Sequence, residues 1–302
     1  MKKDIIAELS KFINKKEKTR SSHWEKYQSN FLYNDGVLSG LEGFGTNNKP
    51  LKGLVKIIYE MLLKRYTKHK IDIDSFKEIK MAALEITEKQ NRALDLDVIR
   101  QCLTIDFLKS KIDLDDKKNI IVIGDGWGIL TSLLLKLNLA KRVILINLNK
   151  TLLVDLSYIK IVLPEILRES ILLEKKEEIS KIKTERLVAI RADNYEFLKF
   201  LKKDLVININ SFQEMNINIV NNYIKYLEND KNAFLLYHCN RVEKILPDGS
   251  TTKISDFKFN SNKEEIVNEI CPWQKDFITK TPPFIRKFDG EITHQLISLN
   301  QW

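Results

Sequence analysis

Ile120-Ile121-Val122-Ile123 is a short apolar run that flows into Gly124-Asp125-Gly126-Trp127-Gly128, after which Leu130, Leu133, Leu134 and Leu137 recur at helical spacing. That pattern predicts a buried strand, a tight turn and a helix. Further apolar runs follow at 142–147, 187–191, 204–210, 233–238 and 292–299, separated by stretches of helical periodicity. Strands alternating with helices predict an α/β protein: a largely parallel, Rossmann-like sheet with helices on both faces. Ligands of such sheets bind at the carboxyl ends of the strands, so Asn147, Asp193, Asn210 and His238 are expected to converge there.

The first 117 residues read differently. Amphipathic helices are expected over 2–18, 52–66, 74–93 and 97–109, with Asp74, Ser75 and Asp97 as N-caps. Between the first two, residues 21–48 mix glycines, aromatics and polar residues, as an ordered loop does. The chain therefore divides into a helical region with a lid or substrate loop (1–117) and an α/β domain (118–302). Pro247-Asp248-Gly249-Ser250 predicts a turn, as of a hairpin, and a proline-rich excursion runs from Cys271 to Phe284.

Composition narrows the function classes. Hydrophobic residues make up 43% of the 302 positions, which excludes a disordered chain. The net charge of +9 comes from lysines spread beside acids, as in Glu174-Lys175-Lys176-Glu177-Glu178, with no basic-aromatic cluster. Those are solvated helix faces, and no nucleic-acid partner is expected. The three cysteines match neither a disulfide framework nor a zinc site, and no metal centre is indicated. Met1-Lys2-Lys3-Asp4 does not open a signal peptide, and no apolar run reaches the ~18 residues of a membrane span. A soluble, cytoplasmic protein is expected.

The glycine spacing carries the candidate chemistry. A dinucleotide fingerprint places its third glycine at 129, which is isoleucine here. Gly124-x-Gly126-x-Gly128 is instead the spacing of S-adenosylmethionine-dependent methyltransferases, in which the glycines let backbone approach the ligand. On that reading Asp125, Trp127, Asn147, Leu148 and Asn210 join the glycines around the cofactor, and Asp193 with Asn194 suits its adenine. An alcohol acceptor also needs a base. His238 is the first candidate, because imidazole titrates near neutrality, and Glu214 the second. His23 and Trp24 in the N-terminal loop suit stacking on a sugar face, and Ser211, Asn240 and Arg241 are further acceptor-side candidates.

The chain resembles the sugar O-methyltransferases of bacterial surface-polysaccharide gene clusters, a family with the class I methyltransferase fold. The resemblance rests on Ile123-Gly124-Asp125-Gly126-Trp127-Gly128, on the helix from Leu152 to Pro164, on Asn210-Ser211-Phe212-Gln213-Glu214-Met215, and on Tyr237-His238-Cys239-Asn240-Arg241 followed by Asp248-Gly249. It covers roughly residues 118–260, and more loosely Ser22-His23-Trp24. It implies S-adenosylmethionine as cofactor and a small-molecule or glycan-precursor acceptor. It also implies that the 271–284 excursion shapes the acceptor pocket above the cofactor.

Two positions depart from the family pattern. Val122 stands two residues before the first glycine, where an acid is usual, and Asn147 replaces the acid that grips the ribose. Asn147→Asp would be expected to keep or strengthen cofactor binding by restoring a charged acceptor. The same two departures define a rival reading: a protein that kept this scaffold, lost methyl transfer and serves a binding or different catalytic role.

Overall fold

Apolar residues at successive rather than alternate positions form strands buried on both faces, and the computed structural model of the chain is built around such a sheet. It describes all residues except 1–3, 35, 43–48, 230–231, 280–282 and 301–302. In chain order the first elements are α1 (Ile5–Ser10), α2 (Ser22–Tyr27), the hairpin β1 (Leu32–Asn34) and β2 (Val37–Ser39), α3 (Gly53–Thr67), α4 (Ile73–Lys89) and α5 (Leu96–Lys111). There follow β3 (Asn119–Ile123), α6 (Ile129–Lys136), β4 (Arg142–Asn147), α7 (Asn149–Val162), α8 (Pro164–Glu169), β5 (Ile171–Leu173), β6 (Leu187–Arg191) and β7 (Leu205–Ile209). The last part holds α9 (Ile217–Glu228), β8 (Phe234–Arg241), β9 (Glu243–Ile245), β10 (Thr251–Lys253), β11 (Lys263–Ile270), β12 (Asp276–Ile278), β13 (Ile285–Lys287) and β14 (Ile292–Leu299).

The main sheet has eight strands in the order β11-β14-β8-β7-β3-β4-β6-β5. Strands β5 to β8 pair in parallel with β3 and β4 at the centre, while β14 runs antiparallel between β8 and β11. The chain starts at the centre, builds outward through β4 and β6, then crosses back to β7. This is a Rossmann-like α/β sheet, and the order reverses beside β3, the crevice where such sheets bind ligands.

Alternation along each strand feeds two cores. Ile120, Val122, Val143 and Leu145 face α4 to α7, while Ile121, Ile123, Ile144 and Ile146 face α9 and the 3₁₀ segment 192–200. Val122 is thus a core residue, 1% exposed, with no view of the crevice. Helices α4 and α5 share the first core with α6 and α7 through Ile79, Ile86, Ile99 and Leu103.

Several predicted elements shift. The helix expected over 2–18 ends at Ser10, and α4 and α5 are capped by Asp72 and Asp95, whose carboxylates accept from Ser75 N and Val98 N. The stretch expected as an ordered loop holds α2 and the β1–β2 pair among its described residues, and its residues 35 and 43–48 lie outside the described set. The turn at 247–250 does close a hairpin, β9 against β10. The 271–284 excursion leaves β11 at the same end of the sheet as the carboxyl end of β8, and its described residues pack toward α5. Trp273 is buried against Phe107 of α5, and Arg100 bonds the carbonyls of Trp273 and Asp276, so that segment is tied to the N-terminal helices.

Candidate functional site

A narrow cleft, with about 20 Å³ of free space, lies where Asn147 ends β4, Ala192 follows β6 and Ser211 follows β7. Its other wall is the N-terminal segment, through Thr19, Ser21 and Trp24. That segment crosses the carboxyl ends of the strands as a strap. Glu17 Oε1 accepts from Asn149 N at 2.6 Å. Thr19 donates to Asp193 Oδ1 through its backbone N (3.1 Å) and its hydroxyl (2.9 Å). The Ser21 hydroxyl donates to the Glu214 carbonyl.

The strap delivers His23 to Glu214. Their Nε2 and Oε1 lie 3.4 Å apart, both side chains largely shielded, with Lys244 Nζ 3.5 Å from the same oxygen. His23 is also wedged against Trp24 and Tyr27. Glu214 is fixed from beneath by an amide network. Asn208 Oδ1 accepts from Phe212 N and Asn240 Nδ2, Asn240 Oδ1 accepts from Gln213 N, and Gln213 Oε1 accepts from Arg241 N. Asn240, fully buried, therefore shapes the 208–215 turn and does not face an acceptor. Arg241 lies over Phe288, 5.7 Å from its centroid. Asn210 follows with φ +59°, unusual for a side-chain-bearing residue, and its buried Oδ1 has no hydrogen-bond partner among the described residues.

His238 does not fit the role expected of it. It lies within β8, 0% exposed, its ring 5.5 Å from Phe257. Burial pushes its pKa down to about 4, only partly offset by Gln295 opposite it on β14. A base must meet the proton it takes, and this imidazole meets only core.

The glycine turn divides its work. Gly124, Gly126, Trp127 and Gly128 all have positive φ. A Cβ on Gly128 would lie 2.6 Å from Ile159 Cγ1 and 2.8 Å from the Asp155 carbonyl, so this glycine serves the contact between α6 and α7. A Cβ on Gly126 would meet nothing within 4 Å. Trp127 turns away from the sheet edge, packed edge-on against Tyr158 with Arg92 over its ring at 4.4 Å. Asp125 is likewise internal: its carboxylate accepts from Leu130 N (3.0 Å) and Thr131 N (2.7 Å), capping α6.

Asn147 sits in the cleft wall, but its amide is committed. Nδ2 donates to Asp155 at 2.8 Å, and Oδ1 accepts from Leu148 N and the Thr151 hydroxyl. Asp155 is fully buried and also accepts from Gly128 N. Burial, with Asp125 adding repulsion, raises Asp155 well above the usual carboxylate range. Asn147→Asp would delete the donor and set a second carboxylate against Asp155. We expect a loss of roughly 3 kcal/mol in urea unfolding and no gain in cofactor affinity, the scale of an uncompensated buried charge. Unchanged stability would show that the Asn147–Asp155 bond contributes little.

The structure thus brings Trp24, Asn147, Leu148 and Ser211 together in the cleft and sets His23 Nε2 3.4 Å from Glu214 Oε1 beside it, without a hydrogen bond between them. Asp193 is engaged by Thr19, and Asn194 bonds the Leu173 carbonyl behind it. Sequence reasoning missed Glu17, Thr19, Met215 and Tyr223, which carry no spacing signal because the first two reach the site only through the strap.

Glu17 makes the strap sensitive to pH. It is 4% exposed, and burial raises its pKa to about 7, against the opposing hydrogen bond from Asn149. An acid with a raised folded pKa stabilises most below its unfolded value, and that contribution is lost as pH rises from about 4.5 through 7. Glu17→Gln keeps the acceptor and removes the charge. Its stability should match the parent's at pH 4.5 and exceed it by up to roughly 3 kcal/mol at pH 8, read from paired urea curves. A variant less stable at every pH would mean the ionised carboxylate is the favoured partner.

No family model matches the chain, and no curated protein matches it. Solved structures similar in fold include a candidate methylase from Haemophilus influenzae, 18% identical, covering 67% of this chain and 88% of that one at a TM-score of 0.36. P. horikoshii TYW2 in complex with MeSAdo is 12% identical over 64% of this chain and 61% of that one, at 0.36. MtNAS in complex with MTA and tNA is 10% identical over 74% and 70%, at 0.39. At these scores the likeness says nothing about activity, and the fold assignment rests on the chain's own strand order. Among the described residues no helix is long and apolar enough to cross a membrane.

Proposed function

We propose that this chain is a cytoplasmic S-adenosylmethionine-dependent O-methyltransferase acting on a hydroxyl of a sugar or glycan precursor. One observation carries the reading: a cleft at the strand-order reversal beside β3, closed by the strap, with the His23–Glu214 pair next in the chain to Trp24 and Met215 of its lining. The residues suit the cofactor in three respects. The Cβ direction of Gly126 is open, Ile146, Leu148 and Ala192 offer an apolar wall, and the buried Asn210 side-chain Oδ1 has no hydrogen-bond partner among the described residues. The ribose-gripping acid is missing, so hydroxyl recognition would fall to Asn210 and the strap.

When bound, S-adenosylmethionine supplies an electrophilic methyl group. The chain's own residues do the rest, which is chiefly positioning and proton handling. The His23–Glu214 pair takes the hydroxyl proton as the acceptor oxygen becomes nucleophilic. Lys244 balances the carboxylate's charge, and the amide network beneath holds the turn still. Trp24 offers a stacking face for a sugar ring.

Incubation with S-adenosylmethionine and a panel of nucleotide sugars tests this. We expect one acceptor to gain a single methyl ether, with S-adenosylhomocysteine formed in equal amount. Methylation confined to amines would refute the alcohol assignment. The committed amide of Asn147 and the engaged carboxylate of Asp193 favour the second reading, a scaffold that lost methyl transfer; that protein would bind neither the cofactor nor its demethylated product.

A further inference from the structure

Helix α3 carries two apolar stripes, and the fold uses one. Tyr59, Leu62, Leu63 and Tyr66, at i, i+3, i+4 and i+7, turn inward; Leu63 and Tyr66 are buried, and the Tyr59 hydroxyl accepts from Leu96 N of α5. Leu54, Ile57, Ile58 and Met61 repeat the same spacing on another face and stand 70%, 55%, 44% and 63% exposed. Val55, beside them, is 61% exposed. Helices at a water boundary place polar residues opposite the core, and single exposed aliphatics are ordinary. Five on the first three turns of one helix form a patch that calls for a partner.

Charge selects the partner. Between residues 49 and 70 the chain has seven Lys and Arg (Lys49, Lys52, Lys56, Lys64, Arg65, Lys68, Lys70) against one acid, Glu60. An outward apolar face set among lysines matches a helix that lies in the plane of an anionic lipid surface. Each such cation adds attraction to acidic headgroups when near the surface. A two-fold pairing of the same face would bring like charges together across the axis. At 15 residues α3 is too short to span a bilayer, which needs about 20.

We propose that the outward face of α3 docks this protein reversibly on an anionic membrane surface, with Leu54, Ile57, Ile58 and Met61 inserted among the acyl chains and the flanking lysines on the headgroups. This would hold the cleft near a lipid-borne acceptor, although the docking itself does not depend on the catalytic reading.

Sedimentation with vesicles tests it. The full chain should bind vesicles of phosphatidylglycerol and phosphatidylcholine, bind phosphatidylcholine alone far less, and be released by high salt. The double variant Leu54→Glu, Ile58→Glu changes exposed positions only and should keep its melting temperature while losing at least ~10-fold in vesicle affinity. Lys52→Ser with Lys56→Ser should lose the preference for phosphatidylglycerol. Absence of binding at low salt, binding indifferent to the glutamates, or a dimer in light scattering that the glutamates abolish without any vesicle binding would each overturn the proposal.

Discussion

Glu214→Gln is expected to lower kcat by ~10²-fold or more, with binding of S-adenosylhomocysteine unchanged within a factor of a few, on the usual scale of general-base contributions. The carboxylate lies 3.4 Å from His23 Nε2 and 3.5 Å from Lys244 Nζ, and the proposed proton transfer would draw on its charge. Glutamine keeps the shape and the backbone carbonyl that Ser21 bonds, but it can neither hold the proton nor stabilise an imidazolium. His23→Gln should produce a comparable loss, because the two side chains act as a unit. His238→Asn, by contrast, should leave turnover near normal while lowering the melting temperature, since that ring fills core beside Phe257. Steady-state kinetics on the three variants checks the assignment. If His238→Asn abolishes turnover and Glu214→Gln does not, the proton leaves by another route.

Gly126→Val should cost roughly 100-fold or more in cofactor affinity, about 2.7 kcal/mol, measured by calorimetry. Its Cβ direction is free of protein atoms within 4 Å, and on the proposed reading an added side chain would occupy space that the cofactor needs. Gly128→Ala is the contrasting change. There the new carbon would strike Ile159 and the Asp155 backbone, and the expected loss is in folding stability. Both glycines have positive φ, so either substitution strains the turn, but only Gly128→Ala adds a steric clash, and only Gly126→Val is expected to lose cofactor affinity beyond its loss of stability. Unchanged affinity in a folded Gly126→Val protein would mean that the turn is structural throughout.

The sheet was legible because its strands are buried on both faces and read as unbroken apolar runs. The central strands β3, β4, β6 and β7 fall within a residue or so of the expected positions. Strand β11 escaped because it is the edge strand and almost wholly exposed, with the polar sequence Lys263-Glu264-Glu265. The candidate site was legible only in part. Ser211, Glu214 and Asn147 follow strands, and the fold alone brings them to one edge. Asp125 and Asn147 read as ligand contacts, yet their side chains cap α6 and bond Asp155. A polar residue at a helix start serves capping and binding equally well in one dimension. The meeting of His23 with Glu214 depends on how residues 17–23 cross the sheet, which no local periodicity encodes.

The central claim is that the crevice beside β3 holds S-adenosylmethionine. Isothermal titration of the purified chain with S-adenosylmethionine and with S-adenosylhomocysteine tests it most directly. The account predicts one saturable site for each, lost in Gly126→Val and kept in Glu214→Gln. No heat of binding from either compound, with the protein folded and the strap intact, would contradict it.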